Sequence, residues 1–139
     1  MITGMGACGD KDEEPQFDIY ENHEISACGL DDPLRNLDWL AEFTANYKDV
    51  AINVTIKLYA NIETQEENIV MFHNRWRYIE GTKLLETMDP LYANQIYSCS
   101  GERLCVDNSG AVDSEKWGDF FYSGKNVLKE MIWYRYRIN

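Results

Sequence analysis

The chain has 139 residues, a net charge of −11, 45% apolar residues and 13% aromatic ones. That is enough for one domain with one core and too little for two comfortable ones. It has no run of about 18 apolar residues to cross a bilayer as a helix, and no clustered positive patch of the kind phosphate backbones need, which argues against nucleic acid as a partner.

The charge is concentrated near the front. Residues 9–32 hold nine acids and one base, Lys11, and so carry −8; the remaining chain carries only −3. The first stretch, "GMGACGDKDEEP", places Cys8 between small residues and an acidic run. Met5-Gly6-Ala7-Cys8 resembles a bacterial lipobox, in which the cysteine is diacylated and becomes the mature N-terminus. Met5 stands where Leu is usual. Only Met1 to Gly4 precede the box, where a signal needs roughly 7–15 apolar residues. The reading therefore expects a late start or a trimmed front. Gly9 to Gln16 is polar, charged and interrupted by Pro15, as suits a solvated tether. Its Lys11 within an acidic cluster resembles the export signal of surface lipoproteins in gut Bacteroidetes. The expected organisation is a lipobox-like N-terminus and acidic tether over 1–25, lipidated at Cys8, then a single globular domain over 26–139. The expected localisation is the cell envelope, at the outer membrane surface. More than one acyl chain would make such an anchor stable, at about 0.8 kcal/mol per buried CH₂.

Within the domain, "GLDDPLRNLDWLAEFTANYKD" predicts one long helix. Asp31 or Asp32 can cap it, and Pro33 suits its first position. Leu34, Leu37, Leu40, Phe43 and Tyr47 form an apolar stripe that Trp39 extends. "AINVTIKLYANI" alternates, with Ile52, Val54, Ile56, Leu58 and Ala60 toward the core and Asn53, Thr55, Lys57 and Tyr59 toward solvent. "IVMFHNRWRYIEG" predicts a second strand, bent near His73-Asn74, with Val70, Phe72, Trp76 and Tyr78 on one face. "TKLLETMDPLYA" is a short strand or a helical turn, ended by Asp89-Pro90.

"NQIYSCSGERLCVD" predicts a hairpin around Ser100-Gly101-Glu102. "DSEKWGDFFYSGK" predicts a short helix capped by Asp113 or Ser114 and stopped by Gly124. "LKEMIWYRYRIN" predicts a closing strand, with Ile132, Tyr134 and Tyr136 alternating against Trp133, Arg135 and Arg137. The fold class expected from this order is α+β: one amphipathic helix packed on an antiparallel sheet of about four to five strands.

"ACGLDDPLRNLDWLAEF", followed by "IYSCSGERLC" and a terminal "IWYRYRI", resembles a group of small Bacteroidetes cell-surface lipoproteins of uncharacterised function. They share a Cys-Gly-x-x-(Asn/Asp)-Pro-Leu-x-x-Leu-x-Trp-Leu opening and a Tyr-x-Cys-x-Gly-x-x-x-Cys hairpin. The likeness touches about residues 27–43, 96–105 and 131–134. It implies an extracytoplasmic helix-plus-sheet domain and brings no enzymatic activity with it. Members often carry a further cysteine after the hairpin, and none follows Cys105 here.

With Cys8 lipidated, Cys28, Cys99 and Cys105 remain as disulfide candidates, enough for one bridge and one left-over thiol. A two-residue Ser100-Gly101 turn would send Cys99 and Cys105 to opposite faces; a three-residue Gly101-Glu102-Arg103 loop would set them opposite each other. Cys99–Cys105 is slightly preferred, with Cys28 to either one close behind. The Cys-x₅-Cys spacing without a nearby His is a poor zinc pattern, so no metal and no cofactor is expected. His23 sits in the acidic segment and His73 in a strand. Neither belongs to a zinc-protease or nucleophile-elbow pattern, and the protein is read as not an enzyme.

"NRWRY" and "WYRYR" have two readings. If the two strands are neighbours, Arg75, Arg77, Arg135 and Arg137 with Trp133 form a binding face for a glycan, a peptide or another envelope protein. Alternatively Trp76, Tyr78, Tyr134 and Tyr136 fill the core while the arginines pair with exposed acids. The second is preferred, because aromatic strands are common in half-buried sheets. The functional expectation is a non-catalytic envelope lipoprotein, held to the membrane through Cys8 and acting as an accessory or interaction module. A glycan- or peptide-binding module is one alternative. A proteinaceous inhibitor is another, resting on fold analogy with the repeated half of the β-lactamase inhibitor protein.

Overall fold

A computed structural model describes residues 16–47, 53–73, 76–79, 83–86, 94–107 and 111–137, with side chains at 16–47, 53–73, 94–107 and 115–136. Cys8 and the tether up to Pro15 lie outside the described residues. The fold is α+β, dominated by an antiparallel sheet.

The first strand, β1 (Phe17–Glu21), falls inside the segment assigned to the tether. It pairs with the long closing strand, β10 (Asn126–Arg137), from Phe17 opposite Arg137 to Glu21 opposite Trp133. The domain boundary at residue 26 is therefore too late. Asp18 and Glu21 disguised a short edge strand as solvated tail, and charges on an edge also discourage pairing with another chain.

A two-residue hairpin follows, β2 (Ser26–Ala27) and β3 (Leu30–Asp31), turning through Cys28 and Gly29. Both turn residues have positive φ, 57° and 77°, the geometry that matches hairpin twist. The predicted long helix is two short ones, α1 (Pro33–Asn36) and α2 (Asp38–Ala45), separated by Leu37 in an extended conformation. Pro33 does open the first helix, but Asp32 makes no side-chain cap bond and sits at φ 49°. Its carboxylate is drawn to His23 and Arg35 instead. Local signals for capping thus lost to a tertiary partner.

The central pair is β4 (Val54–Asn61) and β5 (Glu67–His73), joined by a turn in which Asn61 Oδ1 accepts from the backbone of Glu63 and Thr64. β6 (Trp76–Ile79) and β7 (Lys83–Glu86) form a separate two-stranded sheet, so the strand expected to bend at His73 ends there and a new one begins at Trp76. β8 (Gln95–Ser98) and β9 (Arg103–Val106) are the expected hairpin. The sheet order is β1-β10-β4-β5-β8-β9, with every pairing antiparallel: six strands rather than four to five.

On one face, Leu34, Leu40 and Tyr47 of the α1–α2 segment pack on Val54, Ile56, Leu58, Ile69, Met71, Ile132 and Trp133. Each fully buried aliphatic side chain stabilises the fold by roughly 1.5–3 kcal/mol. The opposite face was expected to meet water. It is covered instead by α3 (Ala111–Tyr122), whose Trp117, Phe120 and Phe121 sit over Tyr59, Val70, Phe72, Ile96 and Cys105. This helix starts earlier than its predicted caps, leaving Asp113 and Ser114 inside it. Lys57 and Tyr59 belong to this second layer: the Lys57 ammonium lies 5.2 Å from the Phe72 ring centre, and Tyr59 meets Phe121 edge-on at 5.4 Å.

Two register shifts interrupt β10, after Leu128 and after Met131. A bulge adds one residue and breaks the two-residue alternation. Ile132 and Trp133, adjacent in sequence, are consequently buried in the same cluster. Strict alternation had placed them on opposite faces and Ile132 with Tyr134 and Tyr136.

Candidate functional site

The two motifs behind the family resemblance meet in space. Cys28, at the tip of the β2–β3 turn, is bonded to Cys99, in the turn between β8 and β9, across 71 residues of chain. Cys105 remains a buried thiol. The slight preference for Cys99–Cys105 was therefore misplaced, for a reason of register. The hairpin turns through Cys99, Ser100 and Gly101, closed by the Ser98 N–H to the Glu102 carbonyl at 2.9 Å. Cys99 thus stands in the loop, whereas Cys105 pairs with Ile96 and faces α3.

Trp39 closes the same junction. Its indole N–H donates to the Cys99 carbonyl at 2.9 Å and its ring stacks on Tyr97 at 5.2 Å. Gly101 lies beneath it with φ 91°, and a Cβ there would fall 2.8 Å from Trp39 Cγ. Only glycine satisfies both the conformation and the close approach. The Cys28 amide also donates to Glu67 Oε1 at 2.6 Å, while Lys129 holds Oε2 at 2.8 Å. Burial alone would raise the Glu67 pKa, but the bonds from Lys129 and the Cys28 amide hold it below its ordinary value. The sulfurs of Cys28 and Cys99 and a Glu67 oxygen lie within 4.8 Å of one another. Since the sulfurs are bonded to each other, they offer no thiolate to a metal. The junction is a covalent and aromatic staple.

The predicted Arg/aromatic face is not assembled as expected. β10 is flanked by β1 and β4, and β6 pairs with β7, so "WYRYR" and "NRWRY" are not neighbouring strands. Arg75 lies outside the described residues, as do the side chains of Arg77 and Arg137. Trp133 is only 4% exposed and Arg135 only 5%. The Arg135 guanidinium lies 3.5 Å from the Phe17 ring centre, a close cation–π contact. The core-filling alternative also changes: Trp133 takes the interior position, while Tyr134 stacks on Tyr20 at 5.4 Å and touches Tyr136 at 5.1 Å on the other face.

Trp133 and Arg135 nevertheless line a groove of about 270 Å³, with Ile19 and Glu21 from β1 and Thr44 and Ala45 from α2. This groove is the candidate site containing two predicted residues. Its wall was hidden from sequence reasoning because β1 was read as tail. A periodic F-D-I-Y-E stretch, apolar on alternate positions, was the available signal.

The two histidines are both engaged. His73 is buried, shares its Nε2 with the Tyr47 hydroxyl, and donates its backbone N–H to Asn94 Oδ1 at 2.6 Å. Asn94 in turn donates to Asp107 Oδ2 at 2.8 Å. This chain ties α2, β5 and the β8–β9 hairpin together, as buried polar groups require. His23 is clasped by Asp32 Oδ1 at 2.8 Å and Glu21 Oε1 at 3.2 Å. Those bonds, Asp32 first and then Glu21, raise its pKa above the ordinary value.

The chain matches no family model, no curated protein and no solved structure.

Proposed function

We propose that this protein is a non-catalytic, lipid-anchored interaction module of the cell envelope. The observation that carries the reading is the Cys28–Cys99 bridge, a bond kept in oxidising compartments and lost in a reducing cytosol. The lipobox-like Cys8 and its resemblance to surface lipoproteins support an outer-membrane position. From Cys8, the eight residues 9–16 reach at most roughly 26–29 Å before β1 begins at Phe17. The β1–β10 edge would then face the membrane-proximal space, presented to another envelope protein.

Incorporation of radiolabelled palmitate into the full-length precursor tests the anchor. Label in the wild type and none in Cys8→Ala is the expected result; an unlabelled wild type refutes it.

A second reading, a glycan- or peptide-binding module, draws on the Trp133/Arg135 groove. Trp133 is too deeply buried to be a useful probe, so Ala45→Trp, at an exposed position on the rim, is the better block. Loss of a glycan- or peptide-array signal in that variant would locate binding at the groove.

A further inference from the structure

On the opposite side of the sheet lies a second cleft, of about 240 Å³, between α3 and the ends of β4, β5 and β10. Asn61, Glu66, Asn68, Lys116 and Asn126 line it together with the apolar Phe120, Ile96, Leu104 and Cys105. Three of these residues are carboxamides, and each is fixed by only one of its two ends. Asn61 spends its Oδ1 on the backbone N–H groups of Glu63 and Thr64, at 2.8 and 3.0 Å, leaving its amide donors. Asn126 donates Nδ2 to the Phe120 carbonyl at 3.1 Å, leaving its Oδ1. Asn68 is 94% buried, at 6% exposure, and donates Nδ2 to the Tyr97 carbonyl at 3.4 Å. Its Oδ1 has no hydrogen-bond partner among the described residues. That oxygen is free to accept a hydrogen bond from a group entering the cleft.

We propose that this cleft binds a neutral saccharide, one pyranose ring or the end of a glycan chain. Several features converge on that chemistry. The cleft presents amide donors and amide acceptors side by side, and a hydroxyl is the common group able to answer both. Glu66 and Lys116 contribute opposite charges, so the lining favours a ligand without net charge. Phe120 supplies an apolar surface suited to the C–H face of a sugar ring. The volume lies below the roughly 300–1,000 Å³ of drug-sized and cofactor sites, which disfavours a nucleotide. Each amide is anchored to backbone through its other end, so its binding atom is held in place and little side-chain freedom is lost on association.

The inference rests on the interaction-module part of the proposed function and is independent of the anchor. It also assigns binding to the α3 side of the sheet, away from the Trp133/Arg135 groove. Titration of the full chain with methyl glycosides of glucose, galactose, mannose and N-acetylglucosamine, each to about 10 mM, followed by ¹H–¹⁵N NMR, is the test. The side-chain NH₂ signals of Asn61, Asn68 and Asn126 are the reporters. At least one glycoside should shift them, and a linear oligosaccharide of that sugar distinguishes a chain end, bound more tightly than the monomer, from a free sugar, bound equally. Asn68→Leu should abolish binding, Glu66→Ala should weaken it about tenfold, and Glu42→Ala, an exposed position of α2 that lines neither cleft, should leave it unchanged. Glu66 is exposed, so its variant decides the matter if Asn68→Leu fails to fold. Absence of shifts with every sugar, or binding that survives Glu66→Ala undiminished, overturns the proposal. Palmitate labelling of the precursor is unaffected by either result, so failure of the sugar site and failure of the anchor are read separately.

Discussion

The two faces of the central sheet are covered by different means. On the α1–α2 side, short helices of four and eight residues are too brief to be stable by themselves, and they are held by links made elsewhere: the Cys28–Cys99 bond, the Trp39 indole over Gly101, and Glu67 between the Cys28 amide and Lys129. On the α3 side a single twelve-residue helix is held by rings. Trp117, Phe120 and Phe121 meet Tyr59 and Phe72 at centroid distances of 5.4–6.2 Å. The lesson is that both layers rest on apolar burial, and the α1–α2 layer adds a covalent link between distant turns. Perturbations of each should therefore have different signatures.

The largest expected effect comes from the cross-link. Closing a 71-residue separation restricts the unfolded chain by roughly 4 kcal/mol in the loop-entropy model. Cys99→Ala should lower the free energy of urea unfolding by about that amount. The wild type under a phosphine reductant should fall to nearly the same value, while the variant should be indifferent to reductant. A wild type equally stable with and without reductant would remove the bridge as a support of the α1–α2 layer.

The α3 layer should answer differently. Phe121 contacts Tyr59, Phe72, Trp117 and Phe120, and Phe121→Ala should cost about 2–4 kcal/mol. That loss should be the same in oxidised and reduced protein, because the helix shares no covalent link with the staple. Urea titrations of the variant in both redox states measure it. A loss that grows on reduction would mean that the two layers are coupled through the sheet.

The same contrast explains what could be read from the chain in advance. The β4 pattern Val54-Ile56-Leu58, the β8–β9 hairpin and the closing strand were legible because period-two alternation and turn residues are local signals, although the hairpin turns through Cys99–Gly101 rather than Ser100–Glu102. The break at Leu37 was not, since the apolar stripe from Leu34 to Tyr47 continues unbroken across it and only tertiary packing selects two helices over one. Lys57 and Tyr59 were assigned to solvent because polar heads on a strand look exposed, although Tyr59 packs beneath α3 and Lys57 lies against the Phe72 ring. The disulfide partner was undecidable locally: three cysteines, one hairpin, and a connection fixed by where the β2–β3 turn docks. Trp133 and Arg135, expected on an exposed binding face, are buried, and the bulge before Trp133 turned it inward. A bulge has no sequence mark strong enough to anticipate that. The carboxamides of the second cleft escaped notice because Asn61, Asn68 and Asn126 are scattered over 66 positions and belong to no motif.

The smallest effect concerns a clasp on the stapled side. His23 bridges Glu21 of β1 and Asp32 at the start of α1, with Arg35 also near Asp32. Its bonds to Asp32 and Glu21 raise its pKa above 6.5, while burial and Arg35 oppose the rise. A folded-state pKa above the unfolded value means that folding favours the proton. The resulting stabilisation is fully present below pH 6.5 and is lost as the pH climbs through the raised folded value. Because His23 and Glu21 are partly exposed, water and salt screen the interaction and the gain is small. Unfolding midpoints measured at low salt should decline over that window in the wild type, and His23→Gln should flatten the decline. If the variant instead keeps the same slope, the proton is taken up elsewhere, and β1 is held through its pairing with β10, the Arg135–Phe17 contact and the Tyr20–Tyr134 stack.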